Sequence, residues 1–156
     1  MAISPSSPIT GAAQTGFTTP TYTLTQDSVP PGANAKQWAV TAIGGTQTGV
    51  DVHSVSKPFT LSFFKPVNLA ALPQPNVSTG VIKNIKNNVY KLITRKGAIP
   101  AANQVPAICL IRTEITIPAG TDTYEPEDIR AALSAHIGML SQISAGVGDT
   151  AVTGIM

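Results

Sequence analysis

Eight cationic side chains, Lys57, Lys65, Lys83, Lys86, Lys91, Arg95, Lys96 and Arg112, fall between Asp51 and Glu114, an interval that contains no acidic residue. Such a run can hold phosphates, because each cation neutralises a backbone charge of a polyanion and no nearby carboxylate in the sequence competes for it. The formal net charge of +2 conceals this polarity, since every Asp and Glu lies at or beyond the limits of the interval. Nucleic acid is the ligand class to which the pattern points.

Catalytic chemistry finds little support. Cys109 with His53 or His136 would make a nucleophile and base, but a core thiol, a loop histidine and a helix histidine describe the same residues more simply. Glu125, Glu127 and Asp128 stand where a helix begins and are explained by its dipole rather than by acid–base work. Two distant histidines and one cysteine give no metal spacing, so neither a metal nor a cofactor is expected. Gly44-Gly45-Thr46-Gln47-Thr48-Gly49 lacks the lysine of a phosphate loop and reads as a turn, and Asn76-Val77-Ser78 matches a glycosylation acceptor only by chance. No catalytic residue is assigned.

Composition narrows the class further. Hydrophobic residues make up 42% of the 156 positions, whereas charged residues make up only 12%, about half the usual share of roughly 25%. Either uncharged polar residues cover the exterior, or much of that exterior is buried against other copies of the chain. The start, Met1–Phe17, has no basic residue and no continuous apolar stretch, so no export signal is expected. Apolar runs such as Ala107–Ile111 are far too short to span a bilayer, and a lone cysteine allows no internal disulfide, which fits synthesis in a reducing cytoplasm.

The elements that position the cations are predominantly strands. Residues 1–16, rich in Ser, Pro, Gly and Ala, predict an extended lead-in to a single domain covering 1–156. A β-rich region follows over 17–118: Phe17–Thr25 with Pro20 as on an edge strand, a Val29-Pro30-Pro31-Gly32 turn, Gln37–Ile43 closed by Gly44-Gly45, a short strand in Gly49–Val55, and Lys57–Pro66. In the last of these Phe59, Leu61 and Phe63 alternate with Thr60 and Ser62. Val67–Gly80 reads as a loop whose Leu69 and Leu72 touch something apolar, the next strand is under way by Val89, and Gly97–Val105 is a Pro/Gly loop.

Pro106–Pro118 has the clearest alternation, with Ile111, Thr113, Ile115 and Ile117 on one side and Leu110, Arg112, Glu114 and Thr116 on the other. Such a strand spans about 40 Å at 3.3 Å per residue, comparable with the width of a domain whose radius of gyration is about 15 Å. One monomer can hardly cover it. Over 125–156 the period turns helical: Pro126 opens a helix with the apolar stripe Ile129, Leu133, Ile137 and Leu140, continued by Ile143, and Gly146 and Gly148 are expected to break it before a short last turn capped by Asp149. The fold class is α+β, with helices across one face of an antiparallel sheet and Lys91, Arg95, Arg112, Glu114, Thr60 and Ser62 on the other.

The string Arg112-Thr113-Glu114-Ile115-Thr116-Ile117-Pro118, the polar turn after it, the helix from Pro126 and the Gly-rich ending through Asp149, Ala151, Val152, Gly154 and Ile155 resemble the coat proteins of single-stranded RNA bacteriophages, the leviviruses. The resemblance implies an N-terminal β-hairpin, a sheet of about five main strands, and two C-terminal helices packed across the sheet of a dimer partner. It further implies an obligate homodimer, an icosahedral virion shell made in the bacterial host, a single-stranded RNA genome inside, and a maturation protein as a partner left open. By the same resemblance the inward RNA-binding face takes in Thr60, Ser62, Lys91, Ile93, Arg95, Arg112 and Glu114. Ile111, Ile115 and Ile117 pack against helices bearing Ile129, Leu133, Ile137 and Leu140, and a loop with Gly97, Pro100, Asn103 and Gln104 gathers at symmetry axes. A small cellular RNA-binding module that builds no shell is the alternative.

Overall fold

A computed structural model describes residues 3–156; Met1 and Ala2, the first residues of the expected lead-in, lie outside the described residues. Six antiparallel strands run in sequence order across one sheet: β1 (Ile9–Thr10), β2 (Thr18–Asp27), β3 (Ala35–Thr46), β4 (Phe59–Phe64), β5 (Asn87–Ala98) and β6 (Ala107–Pro118). Three helices follow, α1 (Thr121–Tyr124), α2 (Pro126–Gln142) and α3 (Ser144–Thr153). The class is the expected α+β; five strands are long, and the sixth, β1, is a two-residue strand formed inside the lead-in.

Local chemistry accounts for most of the pattern. The β-branched and aromatic content of β5 and β6 suits a pleated ladder, which pairs without interruption from Asn87↔Pro118 to Ala98↔Ala107. Pro20 has no N–H to give, and the β2–β3 register shifts between Thr18 and Thr21 around it, while its carbonyl accepts the Gly11 N–H at 2.8 Å. Pro20 is therefore buried at a bulge in the second strand rather than on an edge. β3 runs on through Gly44 to Thr46 instead of stopping at the glycine pair. The short strand expected in Gly49–Val55 is absent; one bond from the His53 N–H to the Val40 carbonyl (2.8 Å) holds that loop along β3.

The sheet curls so that Tyr22 of β2 meets Phe59 of β4 edge to face, with ring centroids 5.7 Å apart across the intervening strand. Burial raises the Tyr22 phenol above its ordinary pKa. The loop after β4 is anchored by Asn88, whose side chain bonds both the N–H (2.8 Å) and the carbonyl (3.4 Å) of Ala70. Leu72 of that loop lies beside Gly120, but both it and Leu69 stay exposed.

The helical end departs from expectation in three respects: the polar turn after β6 closes into α1, Asp149 lies inside α3 rather than capping it, and the break falls elsewhere. Pro126 at the first turn and Glu127 and Asp128 beside it start α2, but the break comes at Ile143 and not at the glycines. Gly146 and Gly148 lie within α3. Two contacts at the junction supply the reason, since the Ser144 hydroxyl is committed to the Ala13 carbonyl and the Ser144 carbonyl to the Gln14 side chain.

Apart from Pro20 and Gly97, the buried apolar residues among those described are Ala39, Val40, Ile93 and Ala119, and α1, α2 and α3 bury none. A domain of this length ordinarily hides about two thirds of the surface its unfolded chain exposes, so this core is far too small for the apolar content. Close packing is local. A Cβ on Gly97 would lie 2.7 Å from the Cα of Lys57. Gly97→Ala is therefore expected to push the loop off β5 and lower the unfolding free energy by about 1–3 kcal/mol, measured by urea denaturation; an unchanged midpoint would contradict the contact.

Candidate nucleic-acid interface and assembly surfaces

Register places each expected interface residue on a definite face, because directly paired residues of neighbouring strands point the same way. Thr60, Arg95 and Leu110 form one row; Ser62, Ile93 and Arg112 the next; Phe64, Lys91 and Glu114 the third. All seven residues assigned from sequence to an RNA-binding face thus share one side of the sheet. The other side carries Phe59, Leu61, Phe63, Leu92, Ile111, Ile115 and Ile117.

The cationic face is more selective than the sequence interval suggests. Lys57 is paired with Asp51 at 2.7 Å. Lys96 lies on the opposite face, donating to the Asp51 carbonyl at 2.7 Å with its ammonium 4.8 Å from the Phe59 ring centre. Burial there lowers the Lys96 pKa, against the raising effect of Asp51. Lys91 faces Glu114 at 3.4 Å across the ladder, which leaves Arg95 and Arg112 as the cations of this face without a carboxylate partner among the described residues.

Arg95 is the end of a chain of polar groups that crosses four strands. Its guanidinium donates to Ser62 Oγ (3.4 Å), Ser62 Oγ donates to Gln37 Oε1 (2.9 Å), and Gln37 Nε2 donates to Asp27 Oδ2 (2.8 Å). Ser62 is 0% exposed and Thr60 and Ile93 are also buried. The hydroxyls of Thr60 and Ser62, expected to be displayed to a ligand, are therefore beneath the surface, and that of Ser62 is the hub of the relay. Gln37 and Asp27 were not singled out from sequence; their only signal was strand alternation on β2 and β3, which needed the register to become useful.

The Gln37 hydrogen bond, followed by the Ser28 N–H, holds the Asp27 carboxyl below its ordinary pKa. Asp51 is likewise lowered, first by its hydrogen bond to Lys57. Of the other titratable groups considered earlier, His53 accepts the Phe59 N–H on Nδ1 at 3.0 Å, and Cys109 is exposed on β6 rather than buried in a core. Among the described residues no group of three His, Cys, Asp or Glu side chains is placed to hold a metal ion, and no helix is long and apolar enough to cross a membrane.

The second surface is β6 with α2. β6 is the open edge of the sheet, and every residue from Ala107 to Arg112 is exposed, including Ile108, Leu110 and Ile111, the last at 61%. In the stripe Ile129, Leu133, Ile137 and Leu140 the first two are half-buried and the last two exposed, Ile137 at 63%. Between the far end of β6 and the first half of α2 lies an open groove of about 230 Å³ lined by Ile115, Ile117, Ile129, Leu133 and His136. An edge strand this long and apolar, with an unfilled groove beside it, is a pairing surface.

The loop expected to gather at symmetry axes is shorter than the sequence suggested. Gly97 belongs to β5, where its N–H meets the Pro58 carbonyl at 2.7 Å, so the loop proper starts after Ala98. Pro100, Asn103 and Gln104 remain in it, with Asn103 at φ 62° and a turn closed by the Gln104 N–H on the Ala101 carbonyl.

Comparison with solved structures decides the family. The protein of the virus-like particle of bacteriophage ESE020 is 59% identical, aligned over 99% of this chain and 100% of that one, and superposes with a TM-score of 0.95. The chain belongs to the levivirus-type coat proteins. A chain of the virus-like particle of Beihai levi-like virus 32 shares the fold at 18% identity, with a TM-score of 0.52 over 92% of this chain and 90% of its own. No protein-family model and no curated protein matches the sequence.

Within this coat protein the relay is directly testable. Ser62→Ala removes a buried hydroxyl from between Gln37 and Arg95 and is expected to cost about 1 kcal/mol of stability, read as a lower urea midpoint at unchanged slope. The lowered Asp27 pKa sets a sign: its stabilisation is complete above the unfolded carboxyl value of about 3.9 and is lost as pH falls through the lower folded value. Thermal midpoints measured from pH 5 down to 2 should therefore fall more steeply for the native chain than for Asp27→Asn; parallel curves would rule out the contribution.

Proposed function

We propose that this coat protein is the structural unit of a virion shell, that it pairs through β6 into an obligate homodimer, and that it packages single-stranded RNA on the Arg95–Arg112 face. The single observation that carries the reading is the edge strand β6, exposed on both sides over Ala107–Arg112 and flanked by a helix with no fully buried residue. Two copies joined at β6 in antiparallel register would convert two open edges into one continuous sheet, and the α2 stripe of each would cover Ile111, Ile115 and Leu92 of the other. Apolar surface left uncovered in one chain then becomes the interior of a dimer.

The opposite face would turn to the RNA. Arg95, held by the relay, and Arg112 supply unpaired guanidiniums, Lys91 adds a third cation tempered by Glu114, and buried Thr60, Ser62 and Ile93 support the face from beneath. Pro100, Asn103 and Gln104 lie in a turn at the sheet's end suited to meet neighbouring dimers around symmetry axes. Catalysis has no part in this reading.

Expressed coat protein should appear in electron micrographs as closed particles containing host RNA, and a folded monomer at every concentration would overturn the proposal. Lys91→Ala with Arg95→Ala should lower the encapsidated RNA per particle while leaving dimer formation intact. The salt dependence of RNA binding by dissociated dimers should flatten by about 0.7 in log–log slope for each phosphate contact removed from a single strand. Equal loss of RNA and of dimer would show that the Lys91 and Arg95 rows serve pairing instead.

A further inference from the structure

The helical end is held to the sheet at a point far from where it leaves it. α2 approaches the sheet only along the groove at the far end of β6, and the connection leading to α1 and α2 includes Gly120 at φ 96°. Among the described residues three long-range hydrogen bonds tie this unit down, and all come from the lead-in. Gln14 Nε2 donates to the Ser144 carbonyl at 2.8 Å, the Ser144 hydroxyl to the Ala13 carbonyl at 2.5 Å, and the Thr15 hydroxyl to Asp149 Oδ2 at 2.8 Å.

The lead-in is itself secured to the sheet. Ile9 pairs with Tyr22, Ser7 Oγ accepts the Leu24 N–H at 2.9 Å, Gly11 bonds Pro20, and Lys36 donates to the Ile3 carbonyl at 2.8 Å. A bracket of hydrogen bonds thus runs from β2 and β3 through the lead-in to α3. Gly148 fits this bracket: a Cβ there would collide with the Gln14 carboxamide, whereas a Cβ on Gly146, two residues earlier in the same helix, would meet nothing within 4 Å.

We propose that Ala13-Gln14-Thr15 is a latch that fixes α2 and α3 at a set distance from their own sheet, holding open the space that the α2 helix of a second copy occupies. The latch rests on the pairing described under the proposed function and adds a control to it. With the latch closed, the apolar stripe of α2 is presented in one orientation and a partner meets a preformed surface; with it open, the helices pivot about Gly120 and the surface is lost. Closure after pairing also slows separation, because the partner helix leaves only when the bracket releases.

Hydrogen exchange of the assembled full-length protein tests this. Gln14→Ala with Thr15→Val should speed exchange of the Gly148–Thr153 amides by about tenfold and speed exchange of subunits between differently labelled dimers. The paired glycines give a second reading that does not depend on loss of fold. Gly146→Ala, which removes helix-interior glycine without touching the latch, should slow α3 exchange. Gly148→Ala should fail to slow it while Gln14 is present, and should slow it as Gly146→Ala does once Gln14 is alanine. Equal slowing by both glycine substitutions in the native background, or unchanged α3 exchange in the Gln14/Thr15 variant, would overturn the latch. A native chain that forms no dimer would instead overturn the pairing on which it rests, while the α3 exchange rates would still report on the bracket itself.

Discussion

An exposed edge twelve residues long is the constraint from which the rest of the architecture follows. A strand in that position presents unpaired N–H and C=O groups along one side, and β6 carries Ile108, Leu110 and Ile111 without protective Pro or Lys within the strand's exposed first half. Soluble proteins ordinarily blunt such an edge. Here it is left open and largely apolar, next to a helix whose stripe is uncovered at Ile137 and Leu140. The small core is the counterpart of that choice, because the apolar residues that would have filled it are held at the surface.

The two faces of the sheet divide the remaining work. Rows of directly paired residues send Arg95 and Arg112 to one side and the Phe59–Ile117 set to the other, so one register error would exchange them. The Asp27–Gln37–Ser62–Arg95 relay links β2 to β5 on the polar side through side chains alone. It orients Arg95 while keeping the Asp27 carboxylate at the far end, so that the guanidinium stays available to an anionic ligand.

Alternation made much of this legible in the sequence. Period-2 patterns in Phe59–Phe64, Asn87–Ala98 and Ala107–Pro118 assigned residues to faces correctly because each of those strands pairs without a bulge. Where a bulge or a glycine interrupts the pattern, alternation misleads: Pro20 reads as an edge residue although it sits at a bulge, and the glycine pair reads as a strand end although β3 runs on to Thr46. The glycines of α3 misled for a related reason: Gly148 marks close approach of Gln14 rather than the end of a helix, and a contact 134 positions distant in sequence leaves no periodic trace. Charge was the least transferable signal, since an acid-free stretch of chain does not become an acid-free surface. Asp51 and Glu114, the residues that bound the stretch, fold back onto Lys57 and Lys91. Cys109 reads as a core thiol between Ile108 and Leu110, but all three are exposed on β6.

Amide hydrogen exchange along β6 in the assembled coat protein tests the central claim most directly. An edge strand protects every second amide, those that face β5, and leaves the alternate set to solvent. Pairing with a second copy should slow exchange at both sets along the shared part of Ala107–Pro118, to the level seen within β5. Protection restricted to alternate residues along the whole strand would contradict the account.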